Sequence, residues 1–170
     1  NLSGANLLEA TLEKANLSGA NLSGANLKGV NLREANLRGA NLREADLIAV
    51  DLTGKDLSGT ILVQANLLEA NLEGVDLSNK NLTGANLRGA NLTRANLTRA
   101  DLTGADLSGI DLTGANLTHA TIEPRQLAKV YRCSTEILNG EVTLWITIMR
   151  RIYELFPEEV ICKQKRTPAN

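Results

Sequence analysis

Leucine stands at every fifth position of this chain from Leu2 to Leu117, and Ile122 extends the series once more. A period of five matches neither the 3.6-residue turn of a helix nor the two-residue alternation of a strand. It therefore points to a repeat architecture, in which each unit can bury its apolar residues only by stacking on its neighbours. Of the 24 leucines through Leu117, 22 follow Asn or Asp, the exceptions being Thr11 and Ile61. Two residues before almost every leucine the chain has Ala, Val or Ile, and that column breaks at Lys55, Thr60 and Lys80.

Every glycine except Gly140 lies in the second position after a repeat leucine. In Leu-x-Gly-Ala read as a four-residue turn, glycine comes third, where a type II turn needs positive φ. Each pentapeptide is then one short side plus one corner, and the chain can bury leucine and the small residue together only by coiling around them. Where Glu9, Glu34, Arg94 or Arg99 replaces glycine, the steric cost of a Cβ at positive φ predicts a different or irregular turn.

Units such as Ala5-Asn6-Leu7-Leu8-Glu9, Ala20-Asn21-Leu22-Ser23-Gly24 and Ala105-Asp106-Leu107-Ser108-Gly109 closely resemble the A(D/N)LXX motif of the pentapeptide-repeat family, over residues 1–122. The resemblance implies an all-β solenoid, a right-handed quadrilateral parallel β-helix of about six coils with four sides and 20 residues in each. It places leucine and the residue two before it inside and the other three positions outside. It also implies a cyanobacterial origin, since the family is abundant there. At roughly 4.8 Å per coil the rod would be about 29 Å long. With no Phe at any of the 24 leucine sites, its core is uniform and narrow.

All four aromatic residues, Tyr131, Trp145, Tyr153 and Phe156, follow the repeats, so residues 1–122 form a repeat domain and 123–170 a separate C-terminal segment. An open solenoid end exposes unpaired backbone and a leucine-lined mouth, so a cap is expected. Pro124 suits the first turn of a short helix through about Tyr131. After Asn139-Gly140, Trp145, Ile148, Met149, Ile152 and Phe156 recur at helical spacing, and Pro157 ends that run. Two helices folded on the last coil are predicted, against the alternative of an amphipathic helix offered to a partner, followed by a loose basic tail. Cys133 and Cys162 both lie in this segment, as two unrelated thiols or as a disulfide in an oxidising compartment. If the numbered chain is complete, its uncapped N-terminal coil is a candidate contact for an end-to-end homodimer.

The repeats carry 10 Lys and Arg against 13 Asp and Glu. Neither this balance nor the mildly basic C-terminal segment provides the positive field that sequence-independent nucleic-acid binding requires. No run reaches the roughly 18 apolar residues of a membrane span. The cytoplasm is slightly favoured, with periplasm or thylakoid lumen as the alternative if a signal peptide was removed before Asn1.

Outward positions 20 apart form columns. One reads Leu8, Lys28, Ile48, Leu68, Arg88, Ser108, and on the neighbouring side Ile61 replaces the usual Asn or Asp with Val63 close by. Ile48, Ile61, Val63 and Leu68 are therefore the candidate partner patch, against plain drift among tolerant surface positions. Lys55 and Lys80 stand where the core expects a small residue, so a local distortion is predicted, or snorkelling that brings the amines out toward Asp56 or Asp76. Columns such as Asn6, Asn26, Asn66 and Asn86 read as stabilising side-chain ladders. Glu13 with Arg33 and Lys14 with Glu34 read as ordinary exposed ion pairs.

One histidine, no phosphate-binding glycine loop, no nucleophile with its base and no acid pair in a cleft leave no catalytic, metal or cofactor site to assign. The reading is a non-enzymatic scaffold or protein-interaction module with an unidentified protein partner. The alternative comes from family members that bind DNA gyrase by imitating duplex DNA. Imitation of that kind needs a strongly acidic rod, whereas Arg33, Arg38, Arg43, Arg88, Arg94 and Arg99 dot this one.

Overall fold

The computed structural model describes residues 1–123, 125 and 126. The predicted helical cap falls beyond Gln126, outside the described residues, as do the two cysteines and the aromatic residues. Parallel bridges join positions 20 apart: Asn6 to Asn26, Thr11 to Asn31, Asn16 to Asn36 and Asn21 to Asn41 open four columns. Four columns five residues apart define a four-sided coil of 20 residues. Each side holds a single bridged residue, because the corner takes up most of the pentapeptide and leaves no room for a longer strand. The first side passes through Asn21, Asn41 and Ile61, the second through Asn26, Asp46 and Asn66, the third through Asn31, Asp51 and Asn71, and the fourth through Asn36, Asp56 and Asp76.

The core is the one that the leucine period implies. Leucines from Leu17 to Leu112 are buried, as are the alanines and valines two residues before them from Ala25 onward, apart from the column breaks at Lys55 and Lys80. At the first described coil Leu2, Leu7 and Leu12 are half-buried.

The corners depart from expectation. Glu9, Glu34, Arg94 and Arg99 hold φ of 54°, 57°, 57° and 57°, in the same left-handed region as the glycines. They do not adopt a different turn. A left-handed residue with a Cβ costs about 1–2 kcal/mol, but at Glu9, Arg94 and Arg99 two hydrogen bonds depend on that conformation, while at Glu34 only the corner bond from Ala35 N to Leu32 O at 2.9 Å is made. The corner is closed by the leucine carbonyl, as when Ala10 N donates to Leu7 O at 3.0 Å, and the corner amide itself donates to the next coil, as Glu9 N does to Lys28 O at 2.9 Å. Arg94 and Arg99 donate likewise to Thr113 O and Thr118 O. At about 1 kcal/mol each, the two bonds together with the preserved register outweigh the local penalty. Ala49 sits exposed at φ 57° with no side-chain function there. Ala49→Gly should therefore raise stability by about 0.5–1 kcal/mol, the left-handed relief less glycine's extra unfolded-state entropy, measured by urea unfolding.

The Asn/Asp column has a double role. Its Oδ1 accepts the amide of the residue two positions on, as from Lys28 N to Asn26 at 3.2 Å and Thr103 N to Asp101 at 3.0 Å, which holds the chain as it enters the corner. Asn also reaches the coil below: Asn26 Nδ2 donates to Asn6 Oδ1 at 3.1 Å, Asn66 to Asp46 at 3.2 Å and Asn86 to Asn66 at 2.9 Å. The predicted ladder is present, with Asp46 taking part as an acceptor.

At the last coil Gln126 falls in the ladder register and is buried. Its Nε2 donates to Leu102 O and Ala105 O, both at 2.7 Å, while Oε1 accepts Glu123 N at 2.7 Å. Residues 125 and 126 are helical. Gln126→Ala would leave a buried carbonyl unsatisfied, and a loss of about 1–3 kcal/mol is expected in denaturant unfolding.

Candidate functional site

Two places on the rod break its regularity. The first is the apolar patch. Ile61 is 45% exposed, whereas Ile48, Val63 and Leu68 are half-buried. Ile48 and Leu68 lie one coil apart in one column, tied by the bond from Ala49 N to Leu68 O at 2.9 Å. Val63 sits at the opposite edge of the second side, and Ile61 lies around the corner on the first. The four therefore bracket the second side without forming one continuous exposed cluster. Leu8, at 48% exposure in the Ile48 column, is a further exposed apolar residue.

The second place is a seam. Bridges are missing at 31/51, 36/56, 56/76 and 61/81, within columns that are otherwise continuous. The amides of Asp51, Asp56, Asp76 and Asn81, and of Leu32, Leu37, Leu57 and Leu62, make no inter-coil hydrogen bond, although equivalent residues do so in the other coils. Aspartate alone does not cause this, because Asp46 above Asn26 and Asp101 above Asn81 keep their bridges. What distinguishes the fourth-side and first-side parts of the seam is Lys55, Thr60 and Lys80 in the small-residue column, while the 31/51 gap lies one corner earlier, between Val30 and Val50. Thr60 is buried and satisfies its hydroxyl on Leu57 O at 2.6 Å. The lysine stems are too large for an alanine position, and both lysines end half-buried. The distortion expected at Lys55 and Lys80 is thus present.

A concavity of roughly 240 Å³ opens there, lined by Lys55, Asp56, Ser58, Asp76, Ser78 and Lys80 among others. Burial lowers the Lys80 amine below the usual lysine range, partly opposed by Asp76 and Asp56. The Ser58 hydroxyl and amide hold Asp56 below the usual carboxylate range, and the Ser78 amide and hydroxyl do the same for Asp76. Two cations face two anions whose oxygens already accept local donors, so the concavity has no net charge to recruit an ion. No group of three or more metal-ligating side chains occurs among the described residues. The ion pairs read from the sequence are present but loose and exposed, with Lys14 to Glu34 and Arg33 to Glu13 each at 3.9 Å, and contribute little.

A four-sided parallel solenoid with a dry Leu/Ala core, Asn/Asp ladders and no catalytic constellation among the described residues belongs to the class of repeat scaffolds. The pentapeptide-repeat family model matches residues 1–39, 40–79 and 81–119, and the chain belongs to that family, whose members fold as right-handed quadrilateral β-helices. Among solved structures it is similar to HetL, a pentapeptide repeat protein involved in heterocyst differentiation regulation from the cyanobacterium Nostoc sp. strain PCC 7120. That match has 43% identity over 69% of this chain, with a TM-score of 0.46. The chain spans 57% of HetL. Rfr23 from the cyanobacterium Cyanothece 51142 is 31% identical over 71% of this chain and 86% of its own, with a TM-score of 0.39. QnrB1, a plasmid-mediated fluoroquinolone resistance protein, is 22% identical over 89% and 90%, with a TM-score of 0.44. No curated protein matches.

Proposed function

We propose that this chain is a non-enzymatic scaffold that presents a protein-binding face centred on its second side. The observation that carries this reading is Ile61, a large apolar residue 45% exposed in a column otherwise made of Asn, Asp and Thr. Half-buried Val63, at the corner between Ile61 and the second side, and Ile48 and Leu68, at that side's far edge, would complete their burial under a partner. The second side also keeps an unbroken run of bridges from Asn6 to Asp106, which gives that partner a regular platform. Among the described residues no helix is long and apolar enough to cross a membrane.

Gln126 satisfying the last coil's carbonyls supports a further part of the reading, in which residues 123–170 close the C-terminal end as a helical cap. The gyrase-binding alternative finds no support on the surface, where 10 cations are interspersed with 13 acids along the rod and no acidic field like that of duplex DNA develops.

Ile61→Ser combined with Ile48→Ser and Leu68→Ser tests the docking face. Proteins captured from the native cell by the parent chain should be lost by the variant while its melting temperature stays unchanged. Capture of the same partners by both would remove the patch from the interface.

A further inference from the structure

The rod is not equally zippered on all four sides. Its second side is bridged without interruption through Asn6, Asn26, Asp46, Asn66, Asn86 and Asp106, whereas the other three each lose bridges at the seam. The fourth side, directly across the rod from the second, loses two in succession, at 36/56 and 56/76.

The seam also has a direction. Residues near Leu52 remain bound to the coil above, through Leu52 N to Asn71 O at 2.9 Å, and are released from the coil below. Residues near Ser58 remain bound to the coil below, through Gly39 N to Ser58 O at 2.8 Å, and are released from the coil above. A Cβ on Gly59 would lie 3.3 Å from Gly39 Cα, so that lower contact is close. Between them the amides of Asp56 and Leu57 bond to neither coil. The open line thus enters on the third side, crosses the chain near Asp56 and leaves on the first side.

We infer that the solenoid is two rigid blocks hinged along the second side, with the seam at Lys55, Asp56, Asp76 and Lys80 as the opening edge. Hydrogen bonds along the second side keep its coil spacing fixed. Across the rod, few hydrogen bonds resist a change of spacing, and the flexible lysine stems and water can fill the gap as it widens. Regions with few protected backbone bonds are where local opening concentrates. The hinge goes beyond the docking proposal and does not depend on it, although a partner seated on the second side would lie along the hinge line.

Electron-electron distance measurements on spin-labelled chains test this, with Cys133 and Cys162 replaced by serine so that labels attach only where intended. One pair, Arg38→Cys with Arg99→Cys, spans the seam near the fourth side. The other, Lys28→Cys with Arg88→Cys, spans the same coils at the edge of the second side. The seam pair should give a distance distribution at least twice as wide as the second-side pair. It should narrow to match when Lys55→Ala, Thr60→Ala and Lys80→Ala are introduced together. Equal widths for the two pairs, or a seam-pair width that the triple change leaves untouched, would overturn the hinge.

Discussion

Leu82→Ala should lower unfolding free energy by about 2–5 kcal/mol in urea or guanidinium titration, from lost transfer energy and the cavity left behind. Leu82 is fully buried, and Leu62 and Leu102, one coil below and above in its column, are buried too. The backbone is held to the coil above by Leu82 N to Asp101 O at 2.8 Å and closed at its corner by Ala85 N to Leu82 O at 3.0 Å, so that side of the coil cannot collapse to refill the space. Leu7→Ala in the half-buried first coil should cost clearly less. A similar loss at both sites would mean that the leucine column does not share one dry core.

Lys55→Ala and Lys80→Ala together should act in the opposite direction. Each restores the small residue that the core column has elsewhere, allowing ladder bonds across 36/56, 56/76 and 61/81 to form. At about 0.5–1.5 kcal/mol net for each bond regained, a gain of roughly 2–4 kcal/mol is expected. The melting temperature should rise on the order of 10 °C. The pH dependence offers an independent check. Burial lowers the Lys80 pKa in the folded chain, so the unfolded chain binds the proton more tightly. Protonated Lys80 therefore costs stability at neutral pH, and stability rises between the folded pKa and the unfolded value as the amine loses its charge. Lys80→Ala should abolish that alkaline gain. An unchanged or lowered melting temperature in the double variant would show that the lysines do not hold the seam open.

The parts of this fold that depend on one residue type at one spacing were readable directly. Leu22 through Leu112 and the alanines from Ala25 belong to that group, and so do the Asn ladders. Lys55 and Lys80 marked the position of the irregularity, since an ammonium in an alanine column must displace something. The extent of the seam is not legible in the sequence, because whether the amides of Leu32 and Asn81 find a partner depends on the neighbouring coil, about 20 positions away. The corners at Glu9 and Arg94 depart from the sequence expectation for a related reason. The Cβ penalty is local and visible in the sequence, whereas the bonds to Lys28 O and Thr113 O that outweigh it come from the next coil. Gln126 was missed because glutamine at a ladder position resembles any polar residue until its amide meets two carbonyls of the last coil. The candidate patch was found by its composition, but the half-burial of Ile48 and Leu68 follows from how corner side chains lie against their column neighbours.

The 20-residue coil is tested most directly by proton-proton contacts in nuclear magnetic resonance. Amide and α-proton contacts should link residues 19 to 21 apart along the whole rod, for example Leu67 with Asn86 and Leu92 with Asp111, and should fade at Leu37 with Asp56 and Leu57 with Asp76. Contacts at any other regular spacing, or helical contacts three and four residues apart within 1–122, would contradict the four-sided solenoid.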